Sequence, residues 1–239
     1  MNLIIKSLFK KLPFIKKLYM TIDDLRKERN DLREYNDLRT YLGLKYIKGD
    51  GIEIGALHYP LKVSGANVKY VDRISRNELE KHYPEFVKYN FVNVDILDDG
   101  EQLASIENES LDFIIANHML EHCRNPILTI KNHIKKLKKG GVLFYAIPDQ
   151  RNPFDKDREL TTFEHLVNDY YGKNDDFSHY EEFSRTWGKL TDETEIIINS
   201  KKLMEMGYRI HFHTWTSISL FDFINKTNTF DSATNLYEL

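Results

Sequence analysis

The sequence has little cysteine, little excess charge and no internal repeats. Its one cysteine, Cys123, cannot form an internal disulfide and has no CxxC partner. This excludes structural zinc held by thiolates and indicates a reducing compartment. The formal net charge of -3 argues against a surface built to neutralise phosphates, so we expect no nucleic-acid partner. With 239 residues and 41% hydrophobic content, the chain can bury a core of one α/β domain with additions.

Residues 1–20, "MNLIIKSLFKKLPFIKKLYM", form a basic amphipathic segment without a single acid. The apolar run is too short and too interrupted by lysine to span a bilayer, and no signal-peptide cleavage site follows it. We expect the segment to lie on an anionic membrane surface or to dock on a partner protein. The alternative is a helix that covers part of the protein's own core. The expected location is cytoplasmic, with peripheral attachment at the inner face of the membrane as an option.

Residues 21–44 predict a helix that begins with Thr21 as its N-cap and ends near Gly43. Leu18, Leu25 and Leu32 recur every seven residues. The repeat is too short to predict a stable coiled coil. Packing on the following domain and pairing with a second chain both stay open.

Residues 45–239 alternate short apolar runs with helical segments. This alternation predicts an α/β, Rossmann-like fold with a mostly parallel central sheet flanked by helices. The predicted strands are "GIEIGA", "VKYVDRI", "FVNVDIL", "LDFIIAN" and "GVLFYAIP". The segment "PILTIKNHIKKLKKGG" predicts a crossover helix that Gly140 and Gly141 stop.

Each of the first three predicted strands has an acidic residue within it or at its end. Glu53 lies in the first strand, Asp72 closes the second, and Asp95 is predicted to close the third. The carboxyl ends of parallel strands border the ligand crevice of such sheets, so these carboxylates are expected to converge there. Their spacing suits a nucleoside, with Asp72 accepting hydrogen bonds from ribose and Asp95 with Ile96 holding adenine.

Five motifs in this order resemble those of the class I S-adenosylmethionine-dependent methyltransferases: "GIEIGA", "VKYVD", "NVDI", "LDFIIANHMLEH" and "LKKGGVLFYAIPD". The resemblance implies S-adenosylmethionine as cofactor and S-adenosylhomocysteine as product. It implies cofactor contacts from Glu53, Gly55 and Ala56 to methionine, from Asp72 to ribose, from Asp95 and Ile96 to adenine, and from Asn117 and His118 at the floor. The first turn departs from the family's Gly-x-Gly. The missing glycines also disfavour a nicotinamide-dependent enzyme, because the pyrophosphate of a dinucleotide cofactor needs a glycine-rich turn to approach the backbone.

Residues 149–215 are the predicted acceptor-binding segment, because loops after strands carry function in this architecture. Thr161 or Thr162 is expected to cap a helix there. The stretch "IHFHTWT" predicts a strand whose alternation places two histidines and a tryptophan on one face, which suits a sugar-like ligand. The candidate acceptor residues are Asp149, Arg151, Phe154, Arg158, His211, His213 and Trp215.

The motifs "PDQRNPFDKDRELTTFEHL" and "HFHTW" resemble a bacterial group of methyltransferases associated with glycosyltransferases and surface, or capsular, polysaccharide biosynthesis. This narrower resemblance implies O-methylation of a sugar hydroxyl or of a phosphate-type decoration, hence a small-molecule or glycan acceptor. The alternative function is a non-catalytic scaffold with the same fold that recruits a glycan-assembly complex to the membrane.

A hydroxyl acceptor needs a base, and histidine is the natural one because its pKa lies near working pH. His165 is the first candidate because it lies in the acceptor segment, followed by His118 and His122 after the fourth strand. His211 and His213 could instead bind a metal with His165 or Asp149, but no carboxylate-rich pattern supports this, and we expect none.

The end of the chain leaves room for about one more strand, whereas sheets of this family usually finish with an antiparallel pair. Either the C-terminus is truncated or the sheet closes differently. An open sheet edge would favour a homo-oligomer.

Overall fold

The computed structural model describes residue 22 and residues 38–234, without the side chains of residues 85 and 231–234. The predicted segment 1–20 and most of the predicted helix 21–44 lie outside the described residues. None of the described helices is both long enough and apolar enough to cross a membrane.

The described chain divides into two compact units, of which the first contains residues 38–47 and 61–65. Helix α1, Leu38–Tyr46, belongs to this unit and runs three residues past Gly43. The predicted end at Gly43 is therefore wrong. This glycine is buried, and an added Cβ would lie 3.0 Å from a methyl group of Leu61, so its role is close packing.

The second unit, residues 48–60 and 66–234, contains a five-stranded parallel sheet. Its strands are β1 Gly49–Ile54, β2 Ala66–Asp72, β3 Ile96–Leu97, β4 Leu111–Asn117 and β5 Leu137–Ala146, in the order β3-β2-β1-β4-β5. The predicted parallel Rossmann-like sheet is confirmed. Only two residues of the third run form a strand, and Asp95 precedes this strand, so the prediction that Asp95 closes it is wrong.

Helices flank this sheet. They are α2 Arg76–His82, α3 Pro126–Lys136, α4 Phe163–Tyr170, α5 Asp176–Thr186, α6 Glu193–Glu205 and α7 Ser217–Thr234. One core cluster joins Ile127 of α3 and Leu166 of α4 to Trp215 and Phe223. A second cluster contains residues of β1, β2 and β4.

Local capping explains where two of these helices begin. The Asn125 side chain accepts a hydrogen bond from the Leu128 N–H at 3.0 Å at the start of α3. Thr162 likewise accepts from the His165 N–H at 3.2 Å, which confirms the predicted cap of α4. Helix α3 ends at Lys136, before the predicted glycines, because Leu137 is already extended and pairs with Leu111 in the sheet.

The segment between α6 and α7 is irregular, whereas the sequence predicted a strand there. Residues 208–214 form no strand, and a single parallel bridge joins Trp215 to Asp149. The predicted strand at "IHFHTWT" is therefore wrong, because buried aromatic packing overrides its alternation. Trp215 stacks on Phe223 of α7 with 5.7 Å between ring centroids. Helix α7 occupies the region where the sequence left room for a further strand.

Candidate active site

A cavity of about 440 Å³ lies at the carboxyl ends of β1, β2 and β4. Gly55 follows β1, Asp72 ends β2 and Asn117 ends β4, and all three line the cavity. This is the position at which open parallel sheets bind ligands. The volume falls within the range of small-molecule sites.

The turn after β1 gives a ligand access to the backbone. Gly55 has φ +65°, and no atom lies within 4 Å of the place where a Cβ would be. A side chain is strained in this left-handed conformation, so glycine is favoured here. Glu53, one residue before Ile54, is almost fully buried, and neither Glu53 nor Ala56 is among the lining residues.

The acid at the end of β2 lines the cavity, whereas the acid before β3 does not. Burial raises the pKa of Asp72, and its Oδ1 accepts a hydrogen bond from the Ile74 N–H at 3.4 Å. The Asp95 carboxylate instead accepts from the Tyr70 N–H at 2.8 Å. Neither Asp95 nor Ile96 is a lining residue.

Two acids that the sequence analysis did not select line the cavity instead, Asp99 and Glu101. They belong to the loop after β3, and side chains of α3 form hydrogen bonds to the backbone of this loop. His133 Nε2 lies 2.7 Å from the Gly100 carbonyl, and the Asn132 side chain donates to the Glu101 carbonyl at 3.1 Å. The acid-rich "DDGE" directly after the short third run was the available signal.

A segment after α6 forms another wall of the cavity. Residues 206–209 line it, and Arg209 donates to Glu101 at 3.0 Å. Burial raises the pKa of Glu101, and the Arg209 guanidinium opposes this effect. The ion pair therefore joins the loop after β3 to the segment after α6.

The end of β4 supplies a polar floor. The Asn117 Oδ1 is buried and accepts no hydrogen bond within the described part of the chain. Such an oxygen needs a donor, and an ammonium group in the cavity would provide one. An open backbone turn, an acid at the end of β2 and this unpaired acceptor together fit S-adenosylmethionine.

Two of the three candidate bases line the cavity, His118 and His122. His118 has φ +52°, an exposed side chain, and its Nδ1 lies 3.5 Å from the Glu121 Oε1. His122 Nδ1 lies 2.8 Å from the Ile210 carbonyl, and burial lowers the pKa of His122.

His165, the first candidate from the sequence, is not a lining residue. Its Nε2 lies 3.4 Å from Asp169, and its ring contacts His179 and His213 at 5.1 and 5.6 Å between centroids. His211 belongs to a different group, at 4.7 Å from the His122 ring. The two alternating histidines therefore do not share a site as the sequence suggested.

Most predicted acceptor residues have structural partners. Arg158 is buried against Asp155 and Glu182, at 3.4 and 2.9 Å. Arg151 forms an exposed pair with Asp149 at 2.7 Å. The remaining members of the set are Trp215 and His213, which are buried, and Phe154 and His211, which connect through Trp187.

Comparison with known proteins assigns the chain to a family. A protein-family model described as a methyltransferase domain matches residues 49–196. None of the curated proteins compared with the chain matches it.

Two solved structures are similar in fold. One is an S-adenosylmethionine-dependent methyltransferase from Thermotoga maritima, with 18% identity and a TM-score of 0.40, covering 83% of this chain and 77% of that one. The other is the YcgJ protein from Bacillus subtilis, with 12% identity and a TM-score of 0.41, covering 79% and 67%. The family match includes β1 to β5 and the strand ends that line the cavity. The chain therefore belongs to the methyltransferase-domain family, as a class I enzyme with S-adenosylmethionine as cofactor and S-adenosylhomocysteine as product.

Proposed function

We propose that this methyltransferase transfers the methyl group to oxygen, on a sugar hydroxyl or a phosphate-type decoration of a bacterial surface polysaccharide. The observation that carries the proposal is the pair formed by His118 and Glu121 beside the cofactor cavity, with 3.5 Å between Nδ1 and Oε1. An exposed imidazole backed by a buried carboxylate is suited to accept a proton from a hydroxyl.

The two members of the pair differ in exposure, as suits a base that meets the acceptor and a carboxylate that supports it. The Glu121 side chain is 1% exposed, whereas that of His118 is 57% exposed and lines the cavity. When His118 takes the hydroxyl proton, the carboxylate stabilises the imidazolium. The acceptor oxygen then attacks the methyl carbon, and the C–S electron pair returns to sulfur, which becomes the neutral sulfide of S-adenosylhomocysteine. Alignment of donor and acceptor supplies the rest of the rate enhancement.

A row of aromatic rings next to the cavity supports a sugar acceptor. Phe154 stacks on Trp187 at 4.9 Å between ring centroids, and Trp187 contacts His211 at 5.4 Å. His211 in turn contacts His122 on the cavity wall. Phe154 is 64% exposed, which leaves an apolar ring face for the C–H groups of a sugar. Segment 1–20, outside the described residues, would hold the enzyme at the membrane where such acceptors are assembled.

The test is methyl transfer from isotopically labelled S-adenosylmethionine to a panel of nucleotide sugars and capsule fragments, with mass spectrometry of the product. We expect an O-linked methyl group. We expect His118→Gln to lower kcat by about 10²-fold or more, because the base is lost, while binding of S-adenosylhomocysteine is retained.

His165→Gln is the matched comparison, since His165 lies away from the cavity, and we expect its kcat to stay near that of the wild type. A methyl group on nitrogen or carbon would overturn the proposal of an oxygen acceptor. Full activity in His118→Gln, with activity lost in His165→Gln, would assign the base to His165.

A further inference from the structure

Glu121, His122 and His211 form a compact cluster at the edge of the cofactor cavity. Each offers one ligand atom, and these atoms lie within 4.8 Å of one another. In a tetrahedral site with metal–ligand bonds of about 2.1 Å, neighbouring ligand atoms are about 3.4 Å apart, so side-chain rotations that move these atoms by about an ångström would complete coordination. His122 lines the cavity itself.

The backbone holds the three residues in this arrangement. Glu121 and His122 are neighbours in the short 3₁₀ helix Leu120–His122. The Glu121 carbonyl accepts hydrogen bonds from the Phe212 and His213 N–H groups at 2.8 and 3.3 Å. These bonds fix the segment that carries His211 against the segment that carries the other two residues.

Hydrogen bonds to the Nδ1 atoms leave both imidazoles with Nε2 available. His122 Nδ1 lies 2.8 Å from the Ile210 carbonyl, which requires the Nδ1–H tautomer. His211 Nδ1 lies 2.9 Å from the buried carboxylate of Asp155. A carbonyl or carboxylate on the second ring nitrogen is the usual partner of a metal-binding histidine, because it fixes the tautomer and orients the ring.

The Glu121 carboxylate provides an independent observation. Its side chain is 1% exposed, and neither oxygen accepts a hydrogen bond from any described residue. Burying a carboxylate that accepts no hydrogen bond is costly, and a cation bound between Glu121 and the two imidazoles would offset that cost. His118, at 3.5 Å, contacts one edge of the carboxylate only.

We propose that Glu121, His122 and His211 bind a divalent transition-metal ion. Two imidazoles and one carboxylate suit Zn²⁺, Fe²⁺, Mn²⁺ or Co²⁺ and leave coordination positions open. Its role rests on the proposed function: the acceptor hydroxyl would bind an open position and become more acidic before it passes its proton to His118. The alternating pair His211 and His213, which the sequence offered as a metal site, contributes only its first member.

The experiment titrates the chelator-treated full chain with Zn²⁺ by calorimetry and with Co²⁺ by visible absorption. We expect one equivalent to bind, with Co²⁺ bands typical of nitrogen and oxygen ligands. Glu121→Gln and His211→Ala should weaken binding by at least about 10-fold, and Asp155→Asn by about 10-fold, since Asp155 orients His211. His165→Ala should bind as the wild type does, although His165 belongs to a second histidine cluster.

Binding of S-adenosylhomocysteine by each variant serves as the check that the fold is retained. Absence of saturable Zn²⁺ and Co²⁺ binding by the wild type would overturn the inference, as would binding lost in His165→Ala and kept in Glu121→Gln. Methyl transfer to a sugar by a metal-free chain would support the proposed function and contradict a role of the metal in it.

Discussion

Asp72 and Asp95 carry the same side chain in different surroundings. Asp72 lines the cavity, and desolvation by burial raises its pKa. Asp95 is outside the lining residues and accepts a hydrogen bond from the Tyr70 N–H, which supports the sheet edge beside β3. Asp72 is therefore exposed to a ligand in the cavity, whereas Asp95 makes a contact within the fold.

We expect Asp72→Asn to weaken the binding of S-adenosylhomocysteine by about 10-fold or more, because hydrogen bonds to a charged acceptor are the stronger ones. Asp95→Asn should bind with nearly unchanged affinity, since the amide oxygen can still accept from Tyr70. Calorimetry of both variants measures the two affinities. A loss of affinity in Asp95→Asn alone would contradict this prediction and support the adenine contact expected of Asp95 from the sequence.

At the scale of elements, the loop between β5 and α4 is tied to α5 through Arg158. Its side chain is 2% exposed, donates to Glu182 of α5 at 2.9 Å and pairs with Asp155 at 3.4 Å. Asp155 also holds His211. The guanidinium thus joins this loop to α5, and its removal would leave the Asp155 carboxylate buried without the guanidinium.

We expect Arg158→Met to lower the free energy of unfolding by about 3 kcal/mol, because breaking a buried ion pair on one side leaves an uncompensated charge. Arg151→Met is the control: Arg151 is exposed and pairs with Asp149 at the surface, so stability should change little. Urea unfolding measures both. Unchanged stability in Arg158→Met, with weaker acceptor binding, would instead support the acceptor role predicted from the sequence.

At the scale of the whole molecule, several histidines are buried and uncharged. Desolvation lowers the pKa of His133 and of His179 to about 4. Burial also lowers the pKa of His213. Their unfolded-state pKa is about 6.5, so below this pH the unfolded chain binds more protons than the folded chain. Stability is therefore complete above about pH 6.5 and falls as the pH is lowered towards 4.

We expect the free energy of unfolding to decrease between pH 7 and pH 5 by about 2 kcal/mol for each histidine with a folded pKa near 4. In His133→Gln the decrease should be smaller by about that amount, whereas the exposed His82→Gln should keep the full decrease. Urea unfolding at the two pH values measures this difference. An equal pH dependence in wild type and His133→Gln would contradict the prediction.

The sequence alone determined the order of the strands along the chain, the parallel sheet, the cap of α4 and the cofactor class. The strands, the sheet and the cap follow from hydrophobic periodicity and capping residues, whereas the cofactor class follows from the resemblance of the motifs at strand ends to those of a known family. Gly55, Asp72, Asn117 and His118 line the cavity as expected for residues at strand ends, because the carboxyl end of a parallel strand is a fixed position relative to the ligand crevice.

Only the tertiary structure decided which histidines meet. His211 and His213 are separated by one residue, yet buried packing of the irregular segment sends them to different clusters. Glu121 joins His122 and His211 through backbone hydrogen bonds between segments about ninety residues apart. No local pattern encodes such a pairing, because it depends on how the segment after α6 packs against the end of β4, which long-range burial sets.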